Sequence, residues 1–296
     1  FWDSVQSDGD DIRAFDQDGN QLYFWIEEWD YSSQKAVIWV NVTAGSSELN
    51  IAYGNPSATK SSYEDGEQVF EFFDDFSADL SKWTVNAGTW SITAEGYLYG
   101  GGVTDANIMT ASFTITDGVV VAKMMFPTVS SGYHWHLTVR ETDANNFYSA
   151  RYDDSYFYIT ERNGGSWSNI ASVAFTPSAN TWYRVTFILS GSNLEARDNV
   201  GHVLTGSDTS FTSGAIGFHV SPDYLYVDYV FVAKLADPAD VSSICEKVFA
   251  VKNPKLILNG NTVEYAGDLS AGDSVTLDVS SSYFVAGANN VTITSD

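Results

Sequence analysis

Residues 133–140 read Tyr133-His134-Trp135-His136-Leu137-Thr138-Val139-Arg140. Successive side chains of a β-strand point to opposite faces. Trp135, Leu137 and Val139 then form an apolar row suited to a core. His134, His136, Thr138 and Arg140 form a polar row on the other side. That row carries two of the four histidines in a chain of net charge −24. An ordinary solvated sheet face accounts for such a row. A β-sandwich face that holds a ligand is the alternative, and the neighbouring strands weigh between them.

Around this segment, residues 119–126, 147–152, 156–161, 182–189, 215–220 and 225–232 carry the same short alternation, with turns every 8–12 residues or so. This spacing predicts a sandwich or jelly roll over residues 71–236 rather than alternating strands and helices. Residues 1–70 hold strand-like runs at 21–27, 35–42 and 47–53, separated by turn-rich stretches. Leu235-Ala236-Asp237-Pro238-Ala239-Asp240 reads as a hinge. Beyond it, residues 241–248 carry a weak helical pattern, and strand signals follow at 255–259, 262–265, 274–279 and 290–294. A unit spanning 237–296 is too short to bury much alone, so it is expected to pack on the larger domain. The fold class is all-β: a β-sandwich or jelly-roll central domain flanked by two smaller β domains.

Composition agrees. The 296 residues leave room for two or three domains, and 44% hydrophobic content excludes a disordered chain despite its charge. Aromatic residues at 15% fit an all-β protein. Thirty-eight acids against fourteen bases argue against a nucleic-acid partner, because phosphates need Lys and Arg to neutralise them. The same acidity suits cation-rich surroundings, such as a Ca²⁺-bearing cell surface. No apolar run within residues 1–296 approaches the ~20 residues of a membrane span, and none of these residues carries a signal-peptide pattern. An opening Phe1-Trp2 without Met leads one to expect a processed or excised chain whose targeting segments are lost. Cys245 is alone and has no internal disulfide partner. The sequons Asn41-Val42-Thr43 and Asn290-Val291-Thr292 mark Asn41 and Asn290 as glycosylation candidates and point to an exported, extracellular protein.

Two resemblances extend this reading. The first unit carries Ser7-Asp8-Gly9-Asp10-Asp11-Ile12-Arg13-Ala14-Phe15, Asp18-Gly19, Tyr23-Phe24-Trp25-Ile26-Glu27, Ala36-Val37-Ile38-Trp39-Val40 and Ala52-Tyr53-Gly54-Asn55-Pro56. In that order it resembles a β-rich domain of unknown function, the 2341 family, found in archaeal and bacterial surface proteins. Members usually place one or two strands before the aspartate-rich turn. The resemblance therefore implies an open sheet edge here, to be filled by an upstream segment or by an identical subunit. The second unit runs from Phe72-Phe73-Asp74-Asp75-Phe76-Ser77 through Trp83, Trp90, Asn145-Asn146-Phe147-Tyr148 and Ala179-Asn180-Thr181-Trp182-Tyr183. It continues to Ser213-Gly214-Ala215-Ile216-Gly217-Phe218 and Tyr226-Val227-Asp228-Tyr229-Val230. It is similar to concanavalin-A-like lectin and glucanase jelly rolls of the laminin-G-like kind.

Projected as strands, Tyr156 and Tyr158 face away from the core, as do Arg184 and His219. If these strands share a sheet, His134, His136, Arg140, Tyr156, Tyr158, Arg184 and His219 line one ligand-binding surface. Five of the six arginines fall between residues 140 and 197. Aromatic rings stack on sugar faces while Arg and His donate to hydroxyls, so a carbohydrate groove is expected. The competing reading pairs these arginines with Glu141, Asp143, Asp153 and Asp154. His134 and His136, at i and i+2, can also share a divalent ion, with His219 as a third ligand if its strand is adjacent. The jelly-roll resemblance implies a structural calcium between the terminal strands, held by Asp74, Asp75 and Asp228. Asp16-Gln17-Asp18-Gly19-Asn20 fails as an EF-hand, since Ala14 and Trp25 occupy ligand positions, and reads as a hairpin turn. The Glu-x-Asp-x-x-Glu of glucanases on this fold does not occur, nor does a nucleophile elbow, a phosphate loop or HExxH. The expectation is a non-catalytic extracellular or cell-surface protein that binds a glycan or surface polysaccharide. A filament subunit joined by strand complementation is second and a glycoside hydrolase third.

Overall fold

In the computed structural model, residues 1–42 and 49–235 are described, together with the backbone of five strands between 244 and 294. The chain divides into two compact units, Phe1–Glu71 with Ala236–Asp296, and Phe72–Leu235. The stretch after the hinge therefore belongs with the N-terminal unit, correcting the expectation that residues 237–296 pack on the larger domain.

The first unit contains β1 (Arg13–Asp16), β2 (Gln21–Leu22), β3 (Phe24–Asp30), β4 (Lys35–Val42) and β5 (Leu49–Ala52), then the short helix α1 (Gly66–Val69) capped by Asp65. Alternation in β4 sends Ala36, Ile38, Val40 and Val42 into a core shared with Phe1, Trp2, Ile12, Phe24 and Leu49. On its other face Trp39 donates to Glu27 at 2.6 Å and packs edge-on against Phe70. The aspartate-rich turn is a structural clasp. Buried Asp11 accepts from the Gln6 amide at 3.0 Å and from the Gly54 amide at 2.5 Å, joining it to the Gly-Asn-Pro turn. Asp16 accepts from the Asp18 and Asn20 amides, closing the β1–β2 hairpin.

The second unit contains β6 (Phe72–Asp74), β7 (Trp83–Ala87), β8 (Thr89–Ile92), β9 (Leu98–Gly101), β10 (Ala106–Thr110), β11 (Gly118–Met125), β12 (His134–Asp143) and β13 (Asn146–Tyr152). It continues with β14 (Tyr156–Asn163), β15 (Ser166–Ala174), β16 (Trp182–Ser190), β17 (Asn193–Asp198), β18 (Val203–Ser207), β19 (Ala215–Ser221) and β20 (Tyr224–Ala233). Two antiparallel sheets result. One is seven-stranded in the order β15-β14-β13-β12-β19-β10-β7, and the other is eight-stranded around β18-β17-β16-β11-β20-β9-β8 with β6 on β20. Their inner faces share one core. Trp135, Leu137, Val139, Tyr148, Tyr152, Phe157, Phe218 and Val220 come from the first sheet, and Val120, Met124, Tyr183, Phe187, Leu225 and Val230 from the second. Phe126 stacks on both Trp135 (4.5 Å) and Tyr183 (5.5 Å), bridging the layers. The protein is all-β, and this unit is a β-sandwich.

Five strands complete the first unit: β21 (Ile244–Glu246), β22 (Lys255–Leu258), β23 (Asn261–Glu264), β24 (Val275–Leu277) and β25 (Gly287–Thr294). The weak helical pattern at 241–248 is overturned at its centre, where β21 pairs with β24. β25 runs antiparallel along the whole of β4, from Gly287 opposite Val42 to Thr294 opposite Lys35. The resulting sheet has the order β23-β22-β25-β4-β3. The edge of β4 is thus filled by the same chain, while β3 ends this sheet and β2 and β5 end the three-stranded sheet β2-β1-β5, so the open edge expected to take an upstream segment or a neighbouring subunit is not that of β4. Cys245 lies in β21 and Asn290 in β25, and their side chains lie outside the described residues. Asn41, in β4, donates its carboxamide to the Gln68 carbonyl at 2.6 Å.

Candidate functional site

The outward face of the seven-stranded sheet gathers most of the polar side chains projected from the sequence. β12 pairs with β13 and β19, placing His136 opposite both Arg151 and His219. β13 in turn sets Arg151 opposite Tyr158 and Phe147 opposite Arg162, and β15 sets Trp167 opposite Arg162. His134, His136, His219, Tyr156 and Tyr158 therefore share one face. Arg151, Arg162 and Trp167 join them, and the sequence reading singled out none of the three. For Arg151 and Arg162, the opposite-face parity with the core residues Tyr152 and Phe157 of their own strands was the available signal.

The alternation breaks inside β12. The pairing with β19 slips between Thr138 and Glu141, and Arg140 takes a positive φ of 49°. This β-bulge turns Arg140 off the face and brings Glu141 onto it. Arg140 is 1% exposed. It donates to the carbonyls of Thr116, Phe211 and Gly191 at 2.8–3.0 Å and reaches Asp117 at 3.2 Å. Four acceptors occupy its guanidinium, so Arg140 anchors loops rather than lining the face, a correction to the sequence projection. Two glycines permit the bulge. A Cβ at Gly214 would lie 2.4 Å from the Arg140 carbonyl carbon. One at Gly217 would meet the Ile108 carbonyl oxygen at 2.4 Å and the Glu141 carboxylate at 2.9 Å. Arg184 is corrected too: β16 places it in the eight-stranded sheet, opposite Lys123 and beside Thr186.

Beneath the aromatic groups the face is buried and polar. His136 Nδ1 meets Ser149 Oγ at 2.9 Å, and Ser149 meets Thr160 at 2.7 Å. Glu141 accepts from Thr138 Oγ1 at 2.5 Å and from Asn107 Nδ2 at 2.8 Å. Burial raises the Glu141 carboxyl to about 7. His134 is lowered to about 4, first by burial and then by Arg151 and His219. His136 and His219 are lowered by the same desolvation, so all three imidazoles are neutral near pH 7. Asp105, held well below the usual carboxylate range chiefly by its bond from His219, also accepts from Arg162 at 2.9 Å. Arg151 pairs with Asp153 at 3.1 Å, one of the pairings weighed from the sequence.

Above this floor Trp167 stacks on His136 at 4.9 Å. The guanidiniums of Arg162 and Arg151 stand 4.9 and 5.9 Å from its ring, and Arg151 lies 4.9 Å from that of Tyr158. Trp167 stays 37% exposed and Tyr156 42%, so the shelf is open at its outer side.

Asp74, Asp75 and Asp228, expected to hold a structural calcium, each bond to groups of the protein. Asp74 is buried, with one oxygen taken by Trp83 Nε1 and the other by the Phe76 amide. Asp75 caps Ser77, and Asp228 pairs with Lys123 at 2.7 Å. Among the described residues, the group of three or more metal-capable side chains is His134, His136 and His219, whose ligand atoms all lie within 4.8 Å of one another. No described helix is long and apolar enough to cross a membrane.

A family model described as "Domain of unknown function (DUF2341)" matches residues 8–86, so this domain is present in the chain. Among solved structures, a carbohydrate-binding module, CBM66 from Bacillus subtilis, is 22% identical, with a TM-score of 0.49 over 54% of this chain and 99% of that one. Bacillus licheniformis β-glucanase is 12% identical (TM-score 0.44, 55% and 98% covered). A Bacillus subtilis protein of unknown function with a galectin-like fold is 14% identical (0.44, 56% and 96%). No curated protein sequence matches.

Proposed function

We propose that the sandwich unit is a non-catalytic glycan-binding module and that the chain works outside the cell, at a surface. The observation that carries this is the shelf of Tyr156, Tyr158 and Trp167 interleaved with Arg151 and Arg162 on one sheet face. Exposed flat rings cover the apolar faces of pyranose rings, and guanidinium N–H groups donate to hydroxyls and carboxylates at their rims. A binding rather than hydrolytic role is supported by the carboxyls present. Glu141 has the raised pKa of an acid catalyst, yet it is 1% exposed and both its oxygens are engaged. Asp105 is committed to His219 and Arg162. Retaining glycosidases need two free carboxyls about 5–5.5 Å apart. The net charge of −24 and the two sequons support the extracellular placement. The filament reading, joined by strand complementation, would have to use an edge other than that of β4, which β25 occupies.

A glycan array on the full chain, followed by titration calorimetry on any hit, tests the proposal. Trp167→Ala and Tyr156→Ala should each weaken binding about tenfold, the loss of one stacking contact of about 1 kcal/mol or more, while the melting temperature holds. Absence of any sugar bound at millimolar concentration, or unchanged affinity in both variants, overturns it.

A further inference from the structure

We propose that His134, His136 and His219 form a binding site for a divalent transition-metal ion of the zinc type. The proposal does not rest on the glycan reading. The three residues come from two adjacent strands, His136 and His219 standing directly opposite each other in the β12–β19 ladder.

The nitrogens are already sorted for ligation. His219 Nε2 is 3.1 Å from Asp105 Oδ1. The anionic carboxylate can only accept, so the ring carries its proton on Nε2 and the lone pair on Nδ1. That Nδ1 is fully buried and has no hydrogen-bond partner. An unpartnered lone pair in a buried site costs free energy, and a metal ion satisfies it. A carboxylate behind a ligating imidazole is also the usual outer support of metal-bound histidine. His136 is supported likewise. Its Nδ1 meets Ser149 Oγ, leaving Nε2 toward His134 Nδ1 at 2.9 Å. When metal enters, the proton that this His–His bond shares moves to His134 Nε2, and both facing nitrogens become ligands.

Dimensions and charge also fit. Around an ion with Zn–N bonds of about 2.0–2.1 Å, tetrahedral ligand nitrogens stand about 3.3 Å apart. The His134–His136 pair is near that value at 2.9 Å, and one ring nitrogen of each of the three histidines lies within 4.8 Å of the others. Side-chain rotation, freest at half-buried His134, closes the set. Arg151 and Arg162 are each matched by a carboxylate, Asp153 and Asp105, so the ion does not meet an uncompensated cationic field. Three imidazoles leave a fourth position for water or a ligand oxygen, and a nitrogen set selects zinc, cobalt, nickel or copper over calcium.

Titration calorimetry of the full chain, free of any histidine tag and stripped with chelator, tests this with ZnCl₂. Co²⁺ is used in parallel for its visible absorption in a tetrahedral nitrogen site. The expected result is one ion per chain with micromolar or tighter affinity, and a melting temperature that rises with free zinc. His134→Ala should weaken binding at least tenfold and abolish the cobalt spectrum. Asp105→Asn should weaken it about 10–100-fold, as outer-shell changes do. His202→Ala, whose ring instead bonds Asp198, should leave stoichiometry and affinity unchanged. CaCl₂ should neither bind this site nor displace zinc. No zinc binding by the chain, or equal affinity in His134→Ala and Asp105→Asn, overturns the proposal.

Discussion

Replacing Glu141 with Gln should flatten the pH dependence of the sandwich unit's stability. Burial, the largest influence on Glu141, lifts its carboxyl from an ordinary 4.5 to about 7, while bonds from Thr138 and Asn107 pull the other way. The folded state therefore keeps a proton over a range in which the unfolded chain has released it. Stability changes with pH as the protons bound by the unfolded state minus those bound by the folded state. It must therefore fall as pH rises from the ordinary carboxylate value through the folded one. Below both values the group contributes no pH dependence. A rise from 4.5 to about 7, at about 1.36 kcal/mol per pH unit, caps the penalty at roughly 3 kcal/mol. Between about pH 5 and pH 8 the expected change is about 2.5 kcal/mol.

Glutamine is neutral throughout, keeps an oxygen for Asn107 and offers its amide to Thr138 Oγ1. Urea unfolding of the full chain and of Glu141→Gln is measured at several pH values across that range. The transition that moves between the two chains reports the sandwich unit, since two compact units need not unfold together. All other carboxylates are common to both chains, so the repulsion of an acidic surface cancels in the difference. The stability of Glu141→Gln relative to the parent should grow by about 2.5 kcal/mol from about pH 5 to pH 8. Parallel profiles, constant within about 0.5 kcal/mol of extrapolation error, would refute the reasoning and with it the assignment of Glu141 as a buried proton-holding group.

Arg140→Ala should lower the stability of the sandwich unit by about 2–4 kcal/mol, since it leaves three loop carbonyls without their donor; urea unfolding reads this, and glycan affinity of the folded fraction should not change. An equal stability with lost binding would return Arg140 to the face. Ile293→Pro should disrupt the first unit, because Ile293 lies between Leu256 of β22 and Ala36 of β4 and its amide serves one ladder or the other. Size-exclusion chromatography should then show association through the uncovered edge of β4, and a monodisperse, equally stable variant would count against the cis pairing.

The strands of the sandwich were legible because each buries one side. Period-2 alternation in residues 119–126, 182–189 and 225–232 became β11, β16 and β20 with boundaries within two residues. What alternation cannot carry is partnership. Residues 35–42 and 290–294 each read as strands, yet nothing local in either says that they pair with each other across the intervening sandwich unit. The lone projection that placed Arg184 beside the histidines failed for the same reason. Its face within the strand was right, but which of the two sheets the strand joins is decided by packing far away in sequence.

Within β12 the site was misread at Arg140, and the cause is physical. Strict alternation puts His134, His136, Thr138 and Arg140 together, a face with a guanidinium at its end. The bulge after Thr138 substitutes Glu141 for Arg140, so the same face ends in a carboxyl held near neutrality. The chemistry changes from an anion-attracting surface to a neutral, proton-holding floor under aromatic rings. A trace of this was present in the sequence. Arg140 and Glu141 are consecutive charged residues directly after a buried apolar position, so one of them must lie on the core side of a regular strand. A guanidinium cannot be left there without acceptors. The strand must either end or slip, and Gly214, just before the neighbouring strand, and Gly217, within it, show that it slips: only residues without a Cβ leave space for the bulged backbone and for the carboxyl it delivers.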